Sequence, residues 1–411
     1  MCDIGAADSN CDNSETKRVW LILLLGSLAA LPSLSIDIGI AGFSVMRQEF
    51  ETSIASTGLI ITMFMFGLAV GQLGFGLLSD RIGRRPVLLL GTTIYVLAGM
   101  ECAITEAFET LLSARLLQGI GAGAGTVLSL TIIRDLFDGA AARMMRSYVV
   151  AIVSVVPLFA PALGSWMLEF WNWRMAYAVP AAYGTILTIV AAICFSETRP
   201  MHLDNAQNRL SKHYSVLLSR SFIGHVLTNA LSYAALMSYI AGSAFVFMNT
   251  MGLSAQVYAF LFAATATSVI IGAWVNGRLT RGGILGTNLL AASLVLAMIS
   301  GIVLMLVPAN SPAAWIFFPI LMVNVSCRGM VGPQAQHAAL EPLPQIAGTS
   351  AAILSFVQII AGAVASLVVA VLYQELGPAG VTGAIAGCSI ASFVVWLWAI
   401  APCSLRTASS T

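Results

Sequence analysis

Roughly twelve apolar runs, each close to the 20 residues that span a bilayer, succeed one another along this chain, and no soluble fold buries such a series. They begin near Val19, Ile54, Pro86, Thr110, Tyr148 and Arg174, then resume near Phe222, Ala255, Ile284, Ala313, Ile346 and Val381. Without water in the hydrocarbon layer, each run has to close its own backbone hydrogen bonds, which makes it a helix. The expected fold class is an all-α polytopic membrane protein of 12 transmembrane helices in two six-helix bundles. Composition agrees: 9% of the residues are charged, against about 25% in a soluble domain, and mean hydropathy is +0.90. A net charge of +1 offers no basic field for nucleic acid, so the surrounding partner is the lipid bilayer.

The longest polar stretch between runs is ETRPMHLDNAQNRLSKHYSVLLSR, Glu197 to Arg220, near the midpoint. It divides the chain into an N-terminal tail (1–18), a first bundle (19–196), a central loop (197–220), a second bundle (221–402) and a C-terminal tail (403–411). The first polar residues lack the basic region of a cleaved signal, so the first run is expected to be retained. Assigning Lys and Arg by loop parity puts roughly 15 of the 19 on one side of the membrane. The positive-inside rule makes that side cytoplasmic, with both tails there, while the other side holds only Arg47 and Arg174. The second run leads into GLLSDRIGRR and the eighth into NGRLTRGG, a Gly-and-Arg turn at the same step of each half. Two repeats related by an axis along the membrane normal would produce this echo.

Charge within a bilayer is costly and marks function by default. Asp37 sits past the middle of the first run with no basic residue within a helical turn; a carboxylate there can carry a proton through a cycle or meet a substrate. The plainer alternative is a helix-end acid at the interface, and Glu101 fits that description better. Arg115, about two turns into the fourth run, stays charged, so it would act by holding or stabilising a carboxylate; the alternative is snorkelling to the interface. The glycines after it, Gly119, Gly121, Gly123 and Gly125, form a small face for close packing. Arg328 lies near the middle of the tenth run. It either faces a substrate cavity, pairs with Asp37 across the halves, or lies nearer the cytoplasmic face. Tyr239 and Phe245, with Tyr233, Met237 and Met248, are candidates for an adaptable cavity wall, unless they simply face lipid or neighbouring helices.

Two motifs remain. In GLLSDRIGRRPVLLL, Gly76 is expected to allow a tight turn, Asp80 to cap it and pair with an arginine, and Pro86 to open the third helix. Arg81, Arg84 and Arg85 would lie at the anionic membrane surface. In the fifth run, VVPLFAPALGSW, Pro157 and Pro161 remove backbone donors and Gly164 follows, giving either a static kink or a hinge between the halves. Cys102, Cys194, Cys327 and Cys388 sit in apolar runs without metal-ligand spacing and read as small core residues.

These residues resemble the major facilitator superfamily. Gly76, Ser79, Asp80, Arg81, Gly83, Arg84 and Arg85 match its motif between helices two and three, and Arg115, Gln118, Gly119 and Gly121 match its helix-four motif. Pro157, Pro161 and Gly164 lie in a region similar to the helix-five antiporter motif, degenerate here as APALG. More narrowly, LSDRIGRRP, RLLQGIGAGAG, IIRDLF, FAPALG, WNWR, SETRP and AGTSAAILSFVQ resemble the bicyclomycin-resistance (Bcr/CflA) drug:proton antiporters. The resemblance implies that Asp37 and Arg115 serve proton coupling. It also implies that Asp135, in IIRDLF, meets the helix two–three loop when the transporter faces outward. The first helix lacks the family's tyrosine and proline after Asp37, and Arg328 stands where a neutral residue is expected, so the usual substrates are not carried over.

The expected function is export of small drug-like or antibiotic molecules across a bacterial cytoplasmic (inner) membrane in exchange for protons, by alternating access in a monomer of the MFS fold. The alternative is a proton symporter importing a small metabolite. No enzyme activity, cofactor or metal is expected, since His202, His213, His225 and His337 lie in or near loops rather than in a clustered set.

Overall fold

The computed structural model describes residues 5–137, 139–198, 217–307, 314–342 and 347–399. Its elements are helices throughout: α1 (Gly5–Ile40), α2 (Phe43–Glu49), α3 (Ile54–Ile82), α4 (Arg84–Ile104), α5 (Phe108–Leu136), α6 (Gly139–Phe170) and α7 (Met175–Cys194) in the first half. The second half has α8 (Arg220–Ala244), α9 (Ala255–Arg281), α10 (Gly286–Leu306), α11 (Ala314–Leu340), α12 (Ala347–Leu376) and α13 (Pro378–Ala399). All except α2 are long and apolar enough to cross a membrane, 12 in total among the described residues. Serines start three of them: Ser53, Ser219 and Ser254 each accept a hydrogen bond from a backbone N–H in the first turn.

The first tail is not a plain extension, since α1 runs back to Gly5 and only its part from Val19 is apolar. Residues 199–216 of the expected central loop, and 400–411, lie outside the described residues. The sequence did not announce α2. It packs Phe43 and Met46 into the core, and its last residue, Glu49, accepts hydrogen bonds from Trp173 Nε1 (2.5 Å) and Arg174 Nη1 (2.6 Å).

The two halves repeat one another at their tightest joints. A Cβ at Gly67 would lie 2.1 Å from the Leu116 carbonyl oxygen, and one at Gly119 would lie 2.0 Å from that of Phe64. In the second half a Cβ at Gly272 would lie 2.1 Å from the Ser326 oxygen and one at Gly329 would lie 2.1 Å from that of Val269. Both joints therefore pack helix two of the half on helix four, backbone to backbone, which only glycine allows. They superpose Phe64 on Val269 and Gly119 on Gly329, so Gln118 corresponds to Arg328 and Arg115 to Val325.

Between the halves, α3 packs on α12 and α6 on α9. The face that carries Arg81, Arg84 and Arg278 is here termed the arginine-rich face. At the opposite face the halves are joined. Ser44 Oγ donates to Asn249 Oδ1 (3.0 Å), Ser165 Oγ to the Ala255 carbonyl (3.1 Å) and Gln256 Nε2 to Glu169 (2.6 Å). Above the centre, the rings of Phe43 and Phe245 (6.2 Å) and of Phe245 and Tyr373 (5.4 Å) complete the seal. After α8 the chain widens into a π-helical turn, Phe245–Thr250, that carries this contact.

Candidate functional site

Where the halves meet, about midway along their helices, they line a partly open cavity of about 270 Å³. It lies near the lower end of the roughly 300–1,000 Å³ of ligand pockets. Its wall is mostly apolar and comes from both halves: Ile36, Leu68, Val153 and Pro157 on one side, Leu236, Met237, Ile240, Phe262 and Val269 on the other. Asp37, Tyr233, Tyr239 and Thr265 supply polar groups. Tyr239 hydrogen-bonds Thr265 Oγ1 (2.8 Å) and stacks on Phe262, which fixes its place in the wall.

Asp37 is 4% exposed and makes no hydrogen bond or ion pair with any of the described residues. Its position comes from backbone packing. A Cβ at Gly164 of α6 would lie 2.2 Å from the Ile38 carbonyl oxygen, so the glycine lets α6 lie directly against the turn that holds Asp37. Pro157 of the same motif lines the cavity and Pro161 is buried, while α6 runs on as one helix through both.

Arg115 is fully buried rather than at an interface. Nη1 donates to Gln118 Oε1 (2.7 Å), Nε to the Ile60 carbonyl (3.4 Å) and Nη2 to the Ser35 carbonyl (3.5 Å). Phe64 and Tyr177 cover its guanidinium at 4.2 and 5.3 Å. Ser35, on the same helical turn as Asp37, also bonds Tyr95 (2.6 Å). Arg115 thus holds the backbone of the Asp37 turn without touching the carboxylate.

Two expected cavity residues lie elsewhere. Phe245 is buried in the seal with Phe43 and Tyr373, because the π-helical turn directs it away from the cavity. Arg328 neither lines the cavity nor pairs with Asp37; it turns toward α8 and α12 and donates to Asn229 Oδ1 (2.8 Å) and Gln358 Oε1 (3.3 Å). Its guanidinium lies 5.4 Å from the ring centroid of Tyr233, which does line the cavity. Tyr233 was a cavity-wall candidate and Gln358 closes the AGTSAAILSFVQ stretch, but nothing in the sequence joined them to Asn229 or to Arg328.

At the arginine-rich face, Arg84 is fully buried. Its Nε donates to Asp135 Oδ2 (2.8 Å), and its Nη1 to Asp80 Oδ1 (2.6 Å) and Ser79 Oγ (2.8 Å). Gly83 makes the turn, with φ +106°, not Gly76, which lies inside α3; Pro86 lies inside the first turn of α4, which begins at Arg84. Glu197 caps α4 by accepting from the backbone N–H groups of Arg84 (2.8 Å) and Arg85 (3.1 Å). In the sequence it stood only in SETRP and at the start of the central polar stretch. Arg81 and Arg85 are exposed. Asp135 thus meets the helix two–three turn through Arg84, and it does so here with the two halves joined at the opposite face.

The Major Facilitator Superfamily model matches residues 23–366. The chain belongs to that superfamily. Among its members, the chain is 31% identical to "Uncharacterized MFS-type transporter YdgK" of Bacillus subtilis, over 89% of this chain and 92% of that one. It is 30% identical to "Multidrug resistance protein D" of Escherichia coli (87% and 90%) and 24% identical to the "Bicyclomycin resistance protein homolog" of Haemophilus influenzae (88% and 92%). Among solved structures it resembles a bacterial homologue of the human lysosomal transporter Spinster, with TM-score 0.71 at 16% identity, covering 93% and 95% of the two chains. The superfamily fold, two six-helix bundles around a central cavity, is the one expected from the sequence. The chain is a multi-pass membrane protein.

Proposed function

We propose that this chain exports small drug-like or antibiotic molecules across a bacterial cytoplasmic membrane in exchange for protons. The observation that carries the reading is Asp37: a carboxyl with no hydrogen-bond or ion-pair partner among the described residues, in the wall of an apolar cavity between two bundles. Such a group is free to take a proton or a polar group of a substrate, and the two compete for one place. The arginine-rich face is cytoplasmic, by the positive-inside rule, and both termini lie there. The arrangement with its opposite face sealed is then the one that loads substrate from inside. Proton entry at Asp37 and substrate departure follow when the bundles rock to open the Phe43–Phe245 seal. Arg115 keeps the Asp37 turn in place through Ser35. Both halves of one chain line the cavity, which supports a monomer as the working unit. Relatives named for multidrug and bicyclomycin resistance support the substrate class.

The test is acridine orange fluorescence in inverted vesicles energised by respiration. Addition of amphenicols or bicyclomycin is expected to release accumulated protons. If substrate-driven flux instead runs with the proton, the protein is a symporter and the export reading fails.

A further inference from the structure

The halves superpose closely at their glycine joints, but their charges do not. Arg328 replaces, in the second half, the neutral Gln118 of the first. This guanidinium is partly buried among membrane helices, and its hydrogen-bond partners are neutral: the Asn229 side chain and carbonyl and the Gln358 side chain. Among the described residues no carboxylate forms an ion pair with it. Placing an uncompensated cation in this setting is costly, and Gln at the equivalent position shows that the joint does not need one.

Position gives the charge a use. Asn229 and Gln358 lie in the parts of α8 and α12 nearer the arginine-rich face, and Tyr233 is one turn further in, with its ring on the cavity wall. The Tyr233 ring centroid lies 5.4 Å from the Arg328 guanidinium, and Tyr233 and Asp37 line the same cavity. The cavity therefore has a carboxyl toward its sealed end and a fixed positive charge behind the Tyr233 ring at the other. In a low-dielectric wall, a unit charge acts across the thickness of a ring with little screening.

We propose that Arg328 is a specificity-determining residue that turns the cavity toward ligands with an anionic or hydrogen-bond-accepting end and against lipophilic cations. This rests on the cavity being the substrate site. A ligand would lay its acceptor end beside Tyr233, where the guanidinium attracts it directly or after the ring moves aside. Its apolar body would meet Met237, Leu236 and Val269. A lipophilic cation entering past Tyr233 meets the same charge as a barrier, which specificity requires as much as attraction.

Tetraphenylborate and tetraphenylphosphonium test this directly, because they share size and shape and differ in charge sign. Binding of each to the purified full chain in lipid nanodiscs would be measured for wild type, Arg328→Gln and Arg328→Lys. The lipid's own preference for the borate is common to all samples and cancels in the comparison. Arg328→Gln keeps a polar side chain within reach of Asn229 and Gln358, and is expected to shift the anion-to-cation affinity ratio by about tenfold or more toward the cation. Arg328→Lys, measured at a pH low enough to keep the buried amine protonated, should keep the wild-type ratio to within about threefold. An unchanged ratio in Arg328→Gln, a Lys variant that behaves like Gln, or a wild type that binds neither ion would each overturn the proposal. Proton release in vesicles uses neither probe, so export can fail while this holds, or hold while this fails.

Discussion

Gly164 and Ile38 meet backbone to backbone, so closely that a Cβ on the glycine would lie 2.2 Å from the Ile38 carbonyl oxygen. The residue before Ile38 is the cavity carboxyl, so the contact sets where Asp37 points. Gly164→Ala has to push α1 from α6, and overpacking of this kind costs about 1–3 kcal/mol. The expected result is a lower melting midpoint in detergent and a loss of substrate-driven proton release larger than the loss of folded protein. Gly387→Ala is the control: nothing lies within 4 Å of its Cβ, and alanine should leave stability equal or slightly raised. Equal behaviour of the two variants would show that the α1–α6 contact does not position the carboxyl.

Asp37 has no hydrogen-bond or ion-pair partner among the described residues, so Asp37→Asn removes a titratable group without breaking such a bond. The variant is expected to fold with little change in melting midpoint and to bind a neutral substrate within a few-fold of wild type. Substrate-driven proton release should fall by about tenfold or more, the scale on which loss of a single coupling free energy of 1–3 kcal/mol registers. Proton release at the wild-type rate would assign the coupling elsewhere.

The charged residues within apolar runs were legible because lipid tolerates so few: Asp37, Arg115 and Arg328 stand out by type alone. Their surroundings were not legible. A membrane helix is apolar toward lipid and apolar toward its neighbours, so no polar face tells which side is inward. Hence Phe245 was expected in the cavity when it belongs to the seal, and Arg328 was expected to line a wall that Tyr233 lines instead. Glu197 shows the other limit. It caps α4 from 113 residues away, and no local pattern announces a partner at that separation. The glycines of α5 were read correctly as a packing face because close approach needs small residues whatever the partner.

Arg84 separates two acids that look alike in sequence. Its partner Asp135 has a side chain only 5% exposed, whereas that of Asp80 is 51% exposed. Removing one member of a buried pair leaves an uncompensated charge and costs about 3–5 kcal/mol, while an exposed pair contributes up to about 1 kcal/mol. Asp135→Asn should therefore lower the melting midpoint far more than Asp80→Asn. Asp80 still holds Arg84 Nη1 in the first variant, so the lower part of that range is the expectation. Similar losses in both variants would mean that water reaches Arg84 from the arginine-rich face more freely than its burial suggests.

Glu49, at the opposite face, offers a pH test outside the membrane spans. Burial works against its ionisation, but hydrogen bonds from Trp173 and Arg174 and the Arg174 charge outweigh that and hold the carboxyl below its ordinary 4.5. A group with a depressed folded-state value stabilises the fold above its unfolded value and loses that contribution as the pH falls through the folded value. Wild type should thus melt above Glu49→Gln by a constant margin at neutral pH. The margin should begin to shrink below about pH 4.5 and be gone once the acid is protonated in the folded protein as well. Arg174 also donates to the Thr105 carbonyl (3.1 Å), so it stays anchored in the variant and the loss reports on the carboxylate. A margin that widens on acidification would require a raised value for Glu49 and would contradict its bonds to Trp173 and Arg174.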